Sequence, residues 1–493
     1  MPIEASPSAS PSALAAAFFV ALREDQHERA KALLDAHPEI ATFSAHTAAA
    51  VGNVEALRAF LAADHGAATT PTQPDGIEPI IFAATGQLKT MLGVSDSARA
   101  DVVRVLLDAG AGANAFVQMP HDPRARISAL YFACVSNNVP AARLLLERGA
   151  DPNDGESVFH AAEHDHRDCL DLLLAHGANL SDAHAEWGNT PLYFLSAYSE
   201  PHARIDIVTR GMRWLLEHGA DPNVPSLVTS RDQATGEQRP GVGEMPLHRL
   251  AVGRSVGAVR LFIEHRAVID APRADGRTPY ALAVRTGNTE VADFLAASGA
   301  DTARLDDNDR LLGACAVANE GEVRALLGAN PDLIARLALA DRQALHAAVD
   351  RNREASVGLM LRLGWPVTDE GEWGGTALHW AAWHGRPALV RLLLDHGAPV
   401  NVRDREYGSS PIAWASHGSM HSREGTDADY IAITNMLLEA GATRAEAFNR
   451  WDESPESMAS PGVAVVLQRR GFTSEAAPGL PEPGLPAPAA GAA

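Results

Sequence analysis

TALHWAAWHGRPALVRLLLDHGAPVN, residues 376–401, reads as two short helices followed by a turn. Thr376 offers a side-chain oxygen to cap the first helix. In sister copies the next residue is Pro, whose missing N–H costs nothing at the first helical position. The Leu and Ala that follow pack this helix, and the small alanines let a neighbouring helix approach closely. The leucine-rich run from Leu389 forms the second helix. Gly397 then takes the left-handed conformation that lets the chain turn out. A polar segment leading to the next cap makes a hairpin finger. Such a pair cannot bury its apolar face alone, so copies must stack.

The same ending recurs as VVRVLLDAGAGANA (102–115), AARLLLERGADPND (141–154), CLDLLLAHGANLSD (169–182), MRWLLEHGADPNV (212–224), VADFLAASGADTA (291–303) and ITNMLLEAGAT (433–443). Gly149 to Gly177, Gly177 to Gly219, Gly364 to Gly397 and Gly397 to Gly441 are steps of 28, 42, 33 and 44 residues. They scatter about one unit of roughly 33, lengthened in places by insertions. Matching starts lie upstream, among them GNTPLYFLSA (188–197), GEMPLHRLAV (243–252) and GSSPIAWASHG (408–418).

The pattern predicts an all-α solenoid of about twelve helix-pair repeats with short fingers. An N-terminal stack is expected over 12–305 and a C-terminal stack over 306–443. Units 12–40, 43–72 and 307–336 lack the Thr-Pro cap. The last also has Ala329-Asn330 where Gly-Ala would close the helix, so it should be a weak link. Insertions interrupt helix pairs at 86–99, 198–211 and 418–429 and lengthen fingers at 116–127 and 225–243. Residues 444–472 read as a capping helix pair, 1–11 as a flexible N-terminus and 473–493 as a disordered Pro/Ala/Gly tail that leans to polyproline II.

These residues resemble the ankyrin repeat, and 376–401 follows that family's consensus almost position by position. Residues 306–443 also resemble a subgroup common among bacterial ankyrin proteins, through Pro331-Asp332-Leu333, the Gly-Glu-Trp-Gly-Gly finger at 371–375 and the Tyr-Gly-Ser-Ser-Pro finger at 407–411. The resemblance implies a concave face of fingers and first helices that binds a protein partner. It implies no substrate and no cofactor.

Hydrophobic residues are 46% and charged residues 21%, which excludes wholesale disorder. Aromatics are only 5%, so the core must be mostly Ala, Leu and Val. With 41 Lys+Arg against 62 Asp+Glu the net charge is −21, which repels phosphate backbones and anionic bilayers. Neither nucleic acid nor membrane is therefore expected as a main partner. Lys31 and Lys89 are the only lysines, and abundant Ala, Gly and Pro suggest a GC-rich bacterial genome. Cys134, Cys169 and Cys315 are far apart and odd in number, which suits a reducing cytoplasm. ALAAAFFVAL (13–22) lacks a basic flank and reads as the first helix, not a signal segment.

The clearest functional signal is a recurring Glu-aromatic-Gly finger: Glu186-Trp187-Gly188, Glu372-Trp373-Gly374 and Glu406-Tyr407-Gly408. By the resemblance, Trp373 and Tyr407 are neighbours on the binding face, and Trp383, His384 and His417 hold variable positions late in the first helices. Trp187, Glu372, Trp373, Trp383, His384, Glu406, Tyr407 and His417 are thus candidate partner contacts, since aromatic side chains dominate binding hot spots. Trp380 and Trp414 fall at an inward position and are expected in the core. HAAEHDH (160–166) has metal-ligand spacing, but His160 is placed in the His slot of the T-P-L-H pattern, where it would bond backbone, so no metal is expected. The cysteines are expected to be inert buried thiols. No nucleophile elbow, phosphate loop, metalloprotease or kinase signature occurs, which favours a non-enzymatic, cytoplasmic interaction scaffold. A small-molecule hydrolase or lyase using His421, Asp427 or Asp429, and a host-directed secreted effector, are the alternatives.

Overall fold

A computed structural model describes residues 10–472 except 25, 74, 120–121, 186, 199–203, 232–237, 241–242, 254 and 423. Glu186, most of the expected flexible N-terminus and the whole 473–493 tail lie outside the described residues.

Helices follow one another in pairs. They are Pro11–Arg23 with His27–Ala36, Ala45–Val51 with Val54–Ala63, Pro79–Ala84 with Asp96–Asp108, and Ala129–Val135 with Val139–Glu147. Next come Ser157–Glu163 with Arg167–Ala175, Pro191–Ser196 with Ile205–Glu217, Pro246–Gly253 with Val256–Glu264, and Pro279–Arg285 with Thr289–Ala297. The last are Asp307–Ala316 with Glu320–Ala329, Ala344–Asp350 with Glu354–Arg362, Ala377–Trp383 with Pro387–Asp395, and Pro411–His421 with Asp427–Glu439. Two long fingers close as antiparallel hairpins, Phe116–Met119 with Asp122–Ser128 and Val228–Arg231 with Gln238–Pro240. The chain divides into a first unit, Met1–Tyr280 and Glu290–Asp301, and a second unit, Ala281–Thr289 and Thr302–Ala493. No helix among the described residues is long and apolar enough to cross a membrane.

In each unit the leucines of the second helices and the alanines of the first fill the core. Small residues set the helix spacing: a Cβ on Gly211 would lie 1.9 Å from the Ala162 carbonyl oxygen. Gly397 closes its helix at φ 80°, and in one unit Arg266 takes the same left-handed position at φ 68°.

The units without Thr-Pro are capped all the same. Ser10 accepts the Ala13 N–H, Ser44 and Thr47 form a reciprocal box, and Asp306 accepts the Asp309 N–H at 2.7 Å. Each such cap is worth about 1 kcal/mol. The 307–336 segment is therefore not weak at its start. Its second helix, Glu320–Ala329, buries only Val323 and ends at Asn330 with φ −141°.

One expected insertion and the expected capping pair take a different form. Residues 418–429 do not make a free loop: they extend the first helix to His421 and begin the second at Asp427, with Thr426 as its cap. Residues 444–472 hold one α-helix, Pro461–Arg469, not a pair. Pro455 disfavours helical backbone at Ser454, so the preceding segment stays in turns and leaves Trp451 60% exposed. In the 86–99 insertion, Lys89 is fully buried and donates to the Phe82 and Thr85 carbonyls at 2.5 and 2.9 Å. Burial pushes its pKa down to about 7.

Candidate functional site

Three successive fingers in the second unit are locked backbone to backbone. The Glu406 N–H donates to the Trp373 carbonyl at 3.0 Å, and the Arg450 N–H donates to the Tyr407 carbonyl at 2.9 Å. Glycine is required at 374, where a Cβ would stand 2.6 Å from the Arg405 nitrogen. Trp373 itself has φ 57°. For a bulky side chain that conformation costs about 1–2 kcal/mol and marks a place where the surroundings impose the geometry.

The fingers set their aromatic residues side by side. Ring centroids of Trp373 and Tyr407 are 6.0 Å apart, and those of Tyr407 and Trp451 6.4 Å. Trp373 also stacks on Trp380 at 5.4 Å, and Trp414 lies beneath, 5.2 Å from Trp380. Along the first helices the rings continue through Trp383 to His417 at 5.4 Å and from His417 to His421 at 4.3 Å. Trp373 is 39% exposed and Trp414 only 5%.

Buried polar groups hold this frame. The Asp404 carboxylate accepts from the Tyr407 and Ser409 N–H groups and from the Trp414 indole N–H, so one side chain ties finger to helix. The His379 Nδ1 accepts the Thr376 N–H at 3.0 Å, while Nε2 donates to the Ser409 carbonyl at 3.1 Å. Burial pushes the His379 pKa down to about 4 and keeps the ring neutral.

Not every expected contact presents itself in the same way. His384 is 8% exposed, and its ring is taken by Glu424 at 2.8 Å and Asp350 at 3.1 Å. Glu424 also holds Arg386, so it pins the turn between the lengthened helices. Glu406 is half-buried, and Glu372 opens the tight turn Glu372–Gly374. Trp187 lies in the first unit, 45% exposed, with its ring 6.4 Å from His184.

Trp380, expected in the core, is half-buried and shares the row. It stands fourth in its helix, one position past the inward Leu-His pair. Trp451 was hidden in the supposed helix pair, although Asn449-Arg450-Trp451 follows Gly441 at finger distance. Asp404 carried no signal beyond its place ahead of a finger.

His160 also differs from expectation. Its helix starts at Ser157, so Phe159 takes the His slot and His160 follows it. His160 lies between Glu163 at 2.7 Å and Glu156 at 3.2 Å. Burial alone would lower its pKa, but the two carboxylates raise it to about 9. His164 and His166 donate to the His160 and Cys134 carbonyls. Among the described residues no group of three His, Cys, Asp or Glu is placed to hold a metal ion. Asp429 caps its own helix through Thr426, and Asp427 accepts from the Ser460 hydroxyl, so both carboxylates serve the fold. All three cysteines are buried, and burial pushes the Cys315 thiol up to about 12.

Profiles of ankyrin repeats match residues 224–306 and 311–404, and two single-repeat profiles match 126–154 and 154–184. Inversin of Canis lupus familiaris is 27% identical over 212 residues, which are 42% of this chain and 19% of that protein. Neurogenic locus notch homolog protein 1 of Danio rerio is 32% identical over 190 residues, 38% of this chain and 7% of that protein. The E3 ubiquitin-protein ligase KEG of Arabidopsis thaliana is 25% identical over 321 residues, 61% of this chain and 18% of that protein. The chain thus spans about a fifth or less of each of these relatives. The crystal structure of the human ASB11 ankyrin repeat domain aligns over 51% of this chain and 96% of that one, at 22% identity and a TM-score of 0.37. Across residues 126–184, 224–306 and 311–404 the chain is built of ankyrin repeats.

Proposed function

We propose that the chain is a non-enzymatic scaffold, acting in a reducing cytoplasm, that binds a protein partner on the fingers and first helices of its second unit. The observation that carries this is the row of Trp373, Tyr407 and Trp451, set in register by the fingers and extended by Trp383 and His417. Large, rigid, partly exposed rings over a well-hydrogen-bonded base are what binding hot spots are made of. The strained backbone at Trp373 favours the same reading, since strain is retained where geometry serves a purpose. Glu372 and Glu406 would sit at the margins of the contact, His384 would orient the turn beside it, and Trp187 would offer a separate contact on the first unit.

Trp373→Gly tests this, because it removes the ring while relieving the positive φ. Capture of a stoichiometric partner from native lysate should fall by about 100-fold or more, the loss of roughly 3 kcal/mol expected of a hot-spot ring. The melting temperature should stay within a few degrees. Unchanged capture by both Trp373→Gly and Tyr407→Ala would defeat the proposal, as would turnover of a small molecule that depends on His421.

A further inference from the structure

We infer that a cavity in the second unit, where three successive first helices end, binds a small aliphatic carboxylate. Arg285 and Ala316 are the last residues of their helices, and Arg351 follows Ala344–Asp350 directly. All three line the cavity, whose volume of about 270 Å³ is at the small end of ligand pockets. No residue of the aromatic row lines it, so the inference stands apart from that face.

Arg285, Arg351 and Arg353 bring three guanidiniums to this wall. Arg285 is held by Asp309 at 2.6 Å and by Asp341. The other two converge on one oxygen: the Thr286 carbonyl accepts from Arg353 Nη1 at 2.7 Å and from Arg351 Nη1 at 3.5 Å. Arg353 Nη1 also donates to the Ala316 carbonyl at 3.1 Å. These bonds engage Nη1 alone, so the N–H groups on Nε and Nη2 of Arg353 remain to meet a ligand. Burial and the charge of Arg353 push the Arg351 pKa down, as happens where two cations meet away from water. Asp350, the carboxylate that opposes this shift, is itself engaged by His384 at 3.1 Å.

The next repeat shows which anion suits the arrangement. Arg386 stands just before Pro387–Asp395 as Arg353 stands just before Glu354–Arg362. Its Nη1 likewise donates to carbonyls at the end of an earlier first helix, those of Val349 and Asp350, and its Nη2 donates to the Glu424 carboxylate. A ligand carboxylate would meet Arg353 in the same way. Leu312, Ala344, Ala347, Ala348 and Met360 make much of the remaining wall apolar, which suits a short aliphatic body. The net charge of −21 favours a single negative charge over a phosphate dianion. A free short-chain acid and the terminal residue of another polypeptide both carry this chemistry.

Sodium butyrate, titrated calorimetrically into the full chain at low ionic strength, should bind saturably at one site, and neutral butyramide should not. Two variants locate that site. Arg353→Gln removes a cation, while Ala347→Leu narrows the cavity from an exposed position and leaves every guanidinium bond in place. Each should weaken butyrate binding by about tenfold or more. Ala347→Leu should do so with unchanged amide protection in 387–395, which separates a lost site from a loosened fold. N-acetyl-alanyl-leucine is the second probe: tighter binding than butyrate assigns the site to a polypeptide terminus, and weaker binding assigns it to a free acid. The inference is overturned if neither acid binds saturably, if butyramide binds as well as butyrate, or if inorganic phosphate binds as tightly. Butyrate affinity unchanged in both variants would overturn it as well.

Discussion

His379 carries no charge in the folded state, because burial pushes its pKa down to about 4. In the unfolded chain the ring titrates near 6.5. The unfolded state thus takes up the proton first, and this contribution to stability is full above about pH 6.5 and is lost as the pH falls toward 4. His379→Gln should be less stable than the natural chain by about 1–2 kcal/mol at pH 7.5, through its lost bonds to Thr376 and Ser409. The gap should narrow at pH 5, and urea melts at both values check it. A constant gap would show that His379 is not the titrating group. Lys89 follows a related logic. Its pKa is lowered to about 7 in the fold, against 10.5 ordinarily, so the unfolded chain binds the extra proton between those values. Stability should rise with pH across that window in the natural chain. The rise should be smaller in Lys89→Met by the same measurement. Neither residue's state was legible beforehand, since burial is decided by what packs from other repeats. The same holds for Trp380 and Trp451, whose exposure turns on one residue of helix register and on Pro455, four residues after Trp451.

At the scale of elements, the second helices were the most legible, because a leucine run closed by Gly needs no partner to be recognised. First helices were read through Thr-Pro alone, and that rule was too narrow. Any short acceptor serves as a cap, and Ser10, Ser44 and Asp306 do so here. The repeats then differ in packing and not in capping. Pro387–Asp395 buries Leu389, Val390 and Leu393, whereas Glu320–Ala329 buries Val323 alone. Amide exchange in 320–329 should therefore be faster than in 387–395 in the free protein. Equal protection would mean that contacts with neighbouring repeats outweigh the thin core of that helix. The hairpins at 116–128 and 228–240 were legible only as long fingers, since their pairing depends on two strands meeting and not on a period.

For the whole molecule, repeats that touch only their neighbours make stability a sum of local terms. Leu170, fully buried in the first unit, offers a test. Leu170→Ala should cost about 2–5 kcal/mol locally and accelerate exchange in 157–175, while 377–395 keeps its protection. Acceleration everywhere would show one cooperative fold.

The backbone links between fingers have a consequence for how such a face can change. From Trp373 to Tyr407 the chain runs 34 residues, and from Tyr407 to Trp451 it runs 44. The ring spacings are nevertheless 6.0 and 6.4 Å. Extra residues are absorbed as longer helices at 411–421 and 427–439, away from the fingertips. The fingers act as a gauge whose graduations are blind to contour length, so insertions can accumulate behind the fingertips without altering the pitch of the aromatic row.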